Sequence, residues 1–312
     1  MVNVKNVCFT ILGIWFYLLQ SCQPAEPPLP ILETIQSLID TTNGDFAVAF
    51  LNLENGERIL IREHESFHAA STMKTPVMIE AFKYMKNSEQ RLSDSILVYN
   101  KFYSIVDSSE FSLTPDQDGD QELYNLIGQK ITWQDMIHRM ITRSSNLGTN
   151  ILIDFLNAQN VTKTMRDLGA TDIQVLRGVE DLKAYEAGLS NTTTAYDLLM
   201  IYEKLARYEV IDSASSQAML DILFDQEFNS LIPAQLPRNV QVAHKTGSIT
   251  GVHHDSGIVF LPNGERYVLV LLSKNVQNMD RANESMSAIS RVIYDYVQGV
   301  EHVGKYSALN DD

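Results

Sequence analysis

Three short polar motifs in this 312-residue chain contain the residue types of nucleophilic catalysis. In chain order they are Ser71-Thr72-Met73-Lys74, Ser144-Ser145-Asn146 and Lys245-Thr246-Gly247. A serine hydroxyl attacks a carbonyl carbon efficiently only when a neighbouring base accepts its proton. An apolar run typical of a helix follows Ser71, and residues three apart share one face of a helix. The first motif therefore predicts that Ser71 is a nucleophile and that Lys74 is its base.

Two further features would help this nucleophile. A lysine accepts a proton near neutral pH only when its pKa is lowered, and the cation of Lys245 is the candidate to lower the pKa of Lys74. The helix that begins after Ser71 would place positive potential and backbone N–H groups where an oxyanion develops. A helix-capping serine beside a solvated lysine is the alternative interpretation of this motif.

The second and third motifs would face the nucleophile from other elements. Ser144 and Asn146 lie between two helical stretches and can point from a turn into one cleft, although helix capping is an alternative role for them. The third motif is predicted to end a strand. There Lys245 would hold an anionic group, Thr246 would donate a hydrogen bond to it, and Gly247 would let a substrate lie close to the strand edge.

With these motifs in this order, the chain resembles the penicillin-recognising serine hydrolases, and specifically the class A β-lactamases, over residues 31–298. The resemblance implies that a β-lactam carbonyl acylates Ser71. It implies an oxyanion hole made by the backbone N–H groups of Ser71 and Ser248, and a proton transfer from Ser144 to the leaving nitrogen. No cofactor and no metal ion are expected in such a site.

The same resemblance implies roles for the polar residues around the nucleophile. Asn146 would bind the side-chain amide of the substrate and Lys74, while Lys245 and Thr246 would hold the substrate carboxylate. Asn150 matches the asparagine that braces the loop carrying the deacylating glutamate. The substrate would be a β-lactam or a peptidoglycan-like small molecule.

The chain departs from the family pattern at two places. Ser145 replaces the aspartate of the usual Ser-Asp-Asn motif, which predicts a turn of changed rigidity. The family also carries Glu-x-x-Leu-Asn, whose Glu activates the hydrolytic water. Counting from Asn150 without gaps leads to Glu180, but Ala184 stands where the helper Asn is expected. Glu186 is the rival, since a Leu follows it three residues later. We favour Glu180 and expect slow deacylation.

An enzyme of another kind would use the same acylation groups. A D,D-peptidase or an esterase of this family lacks a dedicated deacylating Glu, so the segment at residues 177–191 separates it from a β-lactamase. A binding lipoprotein that only recognises peptidoglycan is a further alternative. The intact Ser71, Lys74, Ser144, Asn146 and Lys245 argue against such a degenerate site.

The elements that must position these motifs are predicted at both ends of the chain. Hydrophobic spacing indicates a helix over about residues 30–41 and another that includes residues 286–297. Strand-like stretches span residues 45–53, 58–62, 240–245, 256–261 and 267–273, and two turns with Asn-Gly join neighbouring stretches. Residues 71–230 are predicted to form helices and loops. The sequence thus predicts an α/β (α+β) fold, with an antiparallel sheet and terminal helices beside an inserted all-α lobe.

The N-terminus is predicted to be an export signal. Residues 7–19 form an apolar run that is short for a bilayer span, and Leu19-Gln20-Ser21-Cys22 resembles a bacterial lipoprotein signal. Cys22 would become the lipidated first residue, unless this is an ordinary secretory signal in which Cys22 is incidental. We therefore assign a signal peptide to residues 1–21, a Pro-rich tether to 22–30, a catalytic domain to 31–300 and a tail to 301–312. The protein would be a monomer, lipid-anchored in the bacterial envelope and facing the periplasm or the exterior.

The charge balance excludes another class of partner. The chain has 24 Lys and Arg against 39 Asp and Glu, a formal charge of −15. Without a basic cluster it is a poor nucleic-acid binder.

Three other segments contain residue types that could bind a metal ion or a substrate. His64-Glu65-Ser66-Phe67-His68 matches a zinc-protease motif, but it follows a hairpin, so we expect an exposed turn and no zinc. The acidic segment 116–122 is predicted to be a solvated loop and not a calcium site. His254 follows the third motif as either a substrate contact or a structural histidine.

Overall fold

The computed structural model describes residues 29–300. The predicted signal peptide, Cys22, residues 22–28 of the tether and the tail at 301–312 lie outside the described residues. The helices are α1 (Leu29–Asp40), α2 (Lys74–Asn87), α3 (Trp133–Thr142), α4 (Asn146–Leu156), α5 (Ala158–Asp167), α6 (Leu182–Glu186), α7 (Ala195–Ala206), α8 (Ser213–Phe224) and α9 (Met279–Val297). The strands are β1 (Asp45–Asn52), β2 (Arg58–Ile61), β3 (Phe67–His68), β4 (Ser95–Leu97), β5 (Phe102–Tyr103), β6 (Glu110–Phe111), β7 (Lys130–Thr132), β8 (Thr192–Thr193), β9 (Gln241–Ile249), β10 (Val252–Phe260) and β11 (Arg266–Lys274).

The main sheet is antiparallel and draws its strands from both ends of the chain. Its order is β2-β1-β11-β10-β9, so the first hairpin pairs with the last three strands through β1 and β11. The predicted turns join β1 to β2 and β10 to β11, with Gly56 at φ +78° and Gly264 at φ +92°. Glycine adopts this backbone conformation without the steric cost that a Cβ would add. The predicted fold class is therefore confirmed.

Alternation along β1 divides the hydrophobic residues between two cores. Phe46, Val48 and Phe50 belong to one cluster, which is completed by residues of α1 and α9. Ala47 and Ala49 point to the opposite face and join the cluster of the helical lobe. Because successive side chains of a strand point to opposite faces, one buried strand serves both cores. The sheet thus separates the terminal helices from the lobe.

The lobe between residues 70 and 230 is built around α2. The first nine residues of α2 are all buried, although its sequence includes Lys74 and Glu80. A helix that is buried all round is a central helix, and α3, α4, α5 and α8 pack against it. Because α2 is packed on all sides, its N-terminal end and the first motif are held at the junction of the lobe and the sheet.

Three predicted boundaries are wrong, and one of them is the start of β10, which lies at Val252 instead of residue 256. The third motif does not end a strand, because β9 continues to Ile249 and stays paired with β10, with Lys245 opposite Ser256 and Ile249 opposite Val252. Helix α1 starts at Leu29, so the last two residues of the predicted tether are helical. Within residues 29–300, none of the helices has both the length and the apolar character that crossing a bilayer requires.

Candidate active site

Ser71 lies in a tight turn at the mouth of a cleft. A 3-10 turn at Ala70–Met73 leads directly into α2, and Ser71 is the partly exposed residue of that turn. The cleft has a volume of about 390 Å³, and its walls include Ser71, Asn146, Glu180 and Ser248. The sequence-predicted motifs are therefore brought together between β9, the α3–α4 turn and the segment before α6.

Several residues around this cleft have a left-handed backbone. The φ angles of Ala70, Ser144 and Glu180 are +44°, +56° and +62°, although none of these residues is a glycine. Such conformations cost free energy and persist where the surrounding structure imposes them, often at functional sites. Each of the three lies at or beside a residue that the sequence assigned to chemistry.

Lys74 joins the first motif to the second. Its Nζ donates to the backbone carbonyl of Ser144 at 2.6 Å, to Ser144 Oγ at 3.1 Å and to Asn146 Oδ1 at 2.9 Å. No hydrogen bond joins Lys74 to Ser71 Oγ among these described residues, so the expected direct contact is not present in this arrangement. Catalytic hydrogen bonds are often long before substrate binds and shorten in the complex.

Burial sets the proton affinity of Lys74. The side chain is fully buried, and this burial lowers its pKa to about 7, while the negative charges of Asp118 and Glu180 act in the opposite direction. Desolvation disfavours the charged form of a lysine. Lys245 was expected to help lower this pKa, but removal from water is the cause of the shift and Lys245 is not among its causes.

Lys245 approaches the same serine from the sheet. Its Nζ donates to Ser144 Oγ at 3.2 Å and to the backbone carbonyl of Thr246 at 2.9 Å. Burial, followed by the charge of Lys74, holds the pKa of Lys245 well below its ordinary value. Ser144 Oγ thus lies within hydrogen-bond distance of both ammonium groups, which is the geometry that a proton relay needs.

Gly247 brings β9 against the nucleophile turn. A Cβ at this position would lie 3.0 Å from the backbone nitrogens of Ser71 and Thr72, tighter than nearly all Cβ contacts. A larger residue would push β9 away from Ser71. Ser248 is exposed at the next position and lines the cleft, while Thr246 is largely buried.

The loop that carries Glu180 is held by Asn150. The amide of Asn150 accepts from the backbone N–H of Val179 at 2.6 Å and donates to the carbonyl of Val179 at 2.9 Å. Gly178 permits this approach, since a Cβ there would lie 2.3 Å from Asn150 Oδ1. Asn150 therefore holds this loop by the backbone of Val179, the residue before Glu180.

The two candidate glutamates lie in different places. Glu180 lines the cleft, and its Oε1 lies 3.5 Å from Asn146 Nδ2. Glu186 is exposed at the end of α6 and is absent from the cleft walls. The geometry favours the count from Asn150 over the motif match. Ala184, at the position of the expected helper amide, is buried.

The histidines set aside or left open in the sequence are structural or peripheral. His254 is fully buried, and its Nε2 lies 2.8 Å from the carbonyl oxygen of His68, so it is not a substrate contact. Burial lowers the pKa of His254 to about 4, which keeps it neutral. His64 lies in a turn and His68 in β3, so they do not share a helix face. Residues 29–300 contain no group of three or more His, Cys, Asp or Glu placed to hold a metal ion.

Sequence reasoning missed part of the site. The acidic segment 116–122 is not a solvated loop throughout, because Asp118 and Asp120 are buried. Gln117 lines the cleft, and its carbonyl oxygen accepts from Asn146 Nδ2 at 3.3 Å. Arg177 and His68 also lie in the cleft wall. The alternating Asp-Gln-Asp-Gly-Asp pattern is visible in the sequence. The contacts of this segment, however, are with residues far along the chain, so the pattern alone does not reveal its role.

Comparison with known proteins identifies the family. Residues 30–297 match the sequence model of the beta-lactamase enzyme family. The chain belongs to this family. The protein is a serine enzyme that hydrolyses β-lactams. Beta-lactamase VEB-1 of Pseudomonas aeruginosa is 21% identical over 305 residues, which cover 94% of this chain and 98% of that protein.

Solved structures of this fold superpose on most of the chain. The structure of PBP-A is 27% identical, with a TM-score of 0.75, and the match covers 88% of this chain and 99% of that one. A β-lactamase from Chitinophaga pinensis is 21% identical, also with a TM-score of 0.75, and covers 86% of this chain and 99% of its own. The second likeness extends to the fold alone.

Proposed function

We propose that the protein is a class A β-lactamase (EC 3.5.2.6) that acts through an acyl-enzyme on Ser71. The observation that carries the proposal is the buried Lys74, which lies one turn after Ser71 and is bonded to Ser144 and Asn146. A lysine whose pKa is about 7 exists partly as a neutral amine near neutral pH, so it can accept a proton. A fully charged lysine could not act in this way.

In the acylation step, Ser71 Oγ attacks the carbonyl carbon of the β-lactam ring and its proton passes to Lys74. The backbone N–H groups of Ser71 and Ser248 stabilise the developing oxyanion. The bond between that carbon and the ring nitrogen then breaks. Ser144 Oγ gives its proton to the nitrogen and takes one from Lys74 or Lys245, which lie 3.1 and 3.2 Å away. The product is an ester of Ser71.

The remaining polar groups bind the substrate. Lys245, Thr246 and Ser248 offer a cation and hydroxyl donors to the carboxylate, and Gly247 keeps this strand next to the nucleophile. Asn146 binds the side-chain amide of the substrate. Lys74 Nζ donates to Asn146 Oδ1 at 2.9 Å, and this hydrogen bond fixes the orientation of the amide in the cleft.

Deacylation requires a water molecule and a base. We propose that Glu180 takes the proton of the water that attacks the Ser71 ester. Its position in the cleft wall and its distance of 3.5 Å from Asn146 support this role. One observation predicts slow turnover: a buried alanine, Ala184, stands at the position of the helper amide.

The slow-turnover alternative is a penicillin-binding enzyme that acylates but hydrolyses the ester poorly. The similarity to PBP-A, at 27% identity, favours keeping this alternative in the test. The two functions share the acylation groups and differ in the fate of the ester.

Two measurements test the proposal. The purified protein is expected to hydrolyse a chromogenic cephalosporin through many turnovers, and Ser71→Ala is expected to lose both this activity and covalent labelling by a fluorescent penicillin. Thermal unfolding of the variant checks that the fold is intact. Labelling without turnover by the wild type would favour the penicillin-binding alternative. Labelling that persists in Ser71→Ala would remove Ser71 from its role.

We also propose that the protein is exported and attached to the membrane by lipid on Cys22. The support is the apolar run at residues 7–19, followed by Leu19-Gln20-Ser21-Cys22 and a Pro-rich segment. A monomer anchored in this way would meet β-lactams in the cell envelope.

A further inference from the structure

The second motif has no carboxylate of its own. Ser145 stands where similar motifs have aspartate, and it is fully buried. Its Oγ accepts from the backbone N–H of Gly148 at 3.1 Å and so caps the N-terminus of α4. A hydroxyl carries no charge. The turn that presents Ser144 and Asn146 must therefore be held by another group.

A carboxylate reaches this turn from a distant segment. Asp118 is buried, and its Oδ1 accepts from the backbone N–H of Asn146 at 2.9 Å. Its Oδ2 accepts from the backbone N–H of Leu147 at 2.8 Å and from the hydroxyl of Tyr124 at 2.9 Å. The first N–H groups of a helix have no partner within the helix. Asp118 binds two of these groups in α4, and Ser145 binds the third.

The neighbours of Asp118 fit it tightly against the turn. A Cβ on Gly119 would lie 2.1 Å from the carbonyl oxygen of Arg143, so only glycine permits this approach without a shift. Asp120 is buried, and its Oδ2 lies 2.9 Å from Arg139 Nη1 on α3. The segment is thus anchored on α3 by one aspartate and on α4 by the other.

We infer that Asp118 is a positioning residue that replaces the missing motif aspartate, because its carboxylate fixes the backbone that presents Ser144 and Asn146 to Lys74. This inference rests on the proposed function, in which these residues serve the acylation of Ser71. Asp118 does not itself line the cleft, so it acts through the backbone of the turn and through its charge.

The charges that face Lys74 come from several elements. Asp118 and Glu180 each raise the pKa of Lys74 against the larger lowering effect of burial, and Lys245 faces the same serine from β9. Removal of the charge of Asp118 therefore lowers the pKa of Lys74 further. The neutral base would then persist to lower pH, and the acid limb of the acylation rate would move in that direction.

The test compares Asp118→Asn with Asp116→Asn, a control at an exposed position of the same segment. The rate constant for acylation by penicillin is measured by intact-mass spectrometry between pH 5 and 9. For Asp118→Asn we expect a loss of about 10- to 100-fold, as for residues that orient metal ligands from the second layer, with the acid limb at lower pH. Asp116→Asn should change neither. An unchanged rate and limb in Asp118→Asn would overturn the inference.

A second substitution tests whether the carboxylate itself, and not a general disturbance of the fold, accounts for the effect of Asp118→Asn. Ser145→Asp should lower acylation in the wild type, because two like charges would meet at one turn. The same change should raise acylation in the Asp118→Asn background, where it returns the carboxylate. A fall in both backgrounds contradicts the inference.

If Asp118→Asn does not fold, Tyr124→Phe removes one hydrogen bond and keeps the charge, and should lower acylation about 2- to 10-fold. No change in that variant would contradict the inference.

A readout that needs no activity distinguishes this inference from the proposed function. Hydrogen exchange of the Asn146 and Leu147 amides, followed by NMR, should accelerate in Asp118→Asn and stay unchanged in Asp116→Asn. A wild type that penicillin does not acylate would contradict the proposed function. Unchanged protection of both amides in folded Asp118→Asn would contradict the role of Asp118.

Discussion

At the scale of single residues, the proposed mechanism makes the first chemical step depend on the protonation state of Lys74. In the proposed acylation step the neutral amine is the base, and burial lowers the pKa of Lys74 to about 7. The neutral fraction grows as the pH rises through this value. The acylation rate should therefore increase from pH 5 to 8, and fall about tenfold for each pH unit well below the pKa. Stopped-flow measurement with a penicillin gives this profile.

Two lysine-to-arginine substitutions on α2 test this role of Lys74, one at the site and one as its control. Lys74→Arg should abolish acylation at every pH, because a guanidinium does not lose its proton. Lys83→Arg changes a lysine of the same helix whose Nζ donates to Thr164, away from the cleft, and should leave the profile unchanged. A wild-type rate that stays constant from pH 5 to 8 would show that Lys74 is not the base.

At the scale of elements, we expect the loop before α6 to determine whether the acyl-enzyme is hydrolysed. Glu180→Ala should still acylate but should accumulate the ester, with deacylation slower by about 10²- to 10⁴-fold, the usual effect of a general base. Intact-mass spectrometry after mixing with penicillin should show the adduct persisting in the variant and decaying in the wild type.

Glu186→Ala is the matched control for this loop. Glu186 is exposed and lies outside the cleft wall, so the variant should deacylate like the wild type. If Glu186→Ala accumulates the adduct and Glu180→Ala does not, the assignment within this loop is reversed.

The proposed attachment to the membrane concerns the whole molecule, and the residues that would carry it lie outside the described part. Cys22→Ser should abolish lipidation and leave the protein either soluble or uncleaved. Mass spectrometry of the mature N-terminus, together with membrane fractionation, measures this outcome. A mature N-terminus at any residue other than Cys22 in the wild type would contradict the lipoprotein assignment.

Local patterns in the sequence were enough for the architecture. Alternation and two Asn-Gly turns predicted the sheet strands, and helical spacing predicted α1 and α9, because these signals depend on neighbouring residues. The end of β9 was predicted too early, because the strand-like pattern in the sequence stops at Lys245. Its pairing with β10 and its contact with the Ser71 turn, both set by tertiary packing, extend the strand through the motif.

The sequence by itself determined the residue types of the site and their order, since three motifs with this spacing named Ser71, Lys74, Ser144 and Lys245. Only the tertiary structure decided how they meet. The burial that lowers the pKa of Lys74 depends on the whole lobe, and no local pattern reports it. Asp118 lies 28 residues from Asn146 along the chain, so its polar surroundings looked like a solvated loop. Contacts over such separations follow from how elements pack, and local spacing carries no record of them.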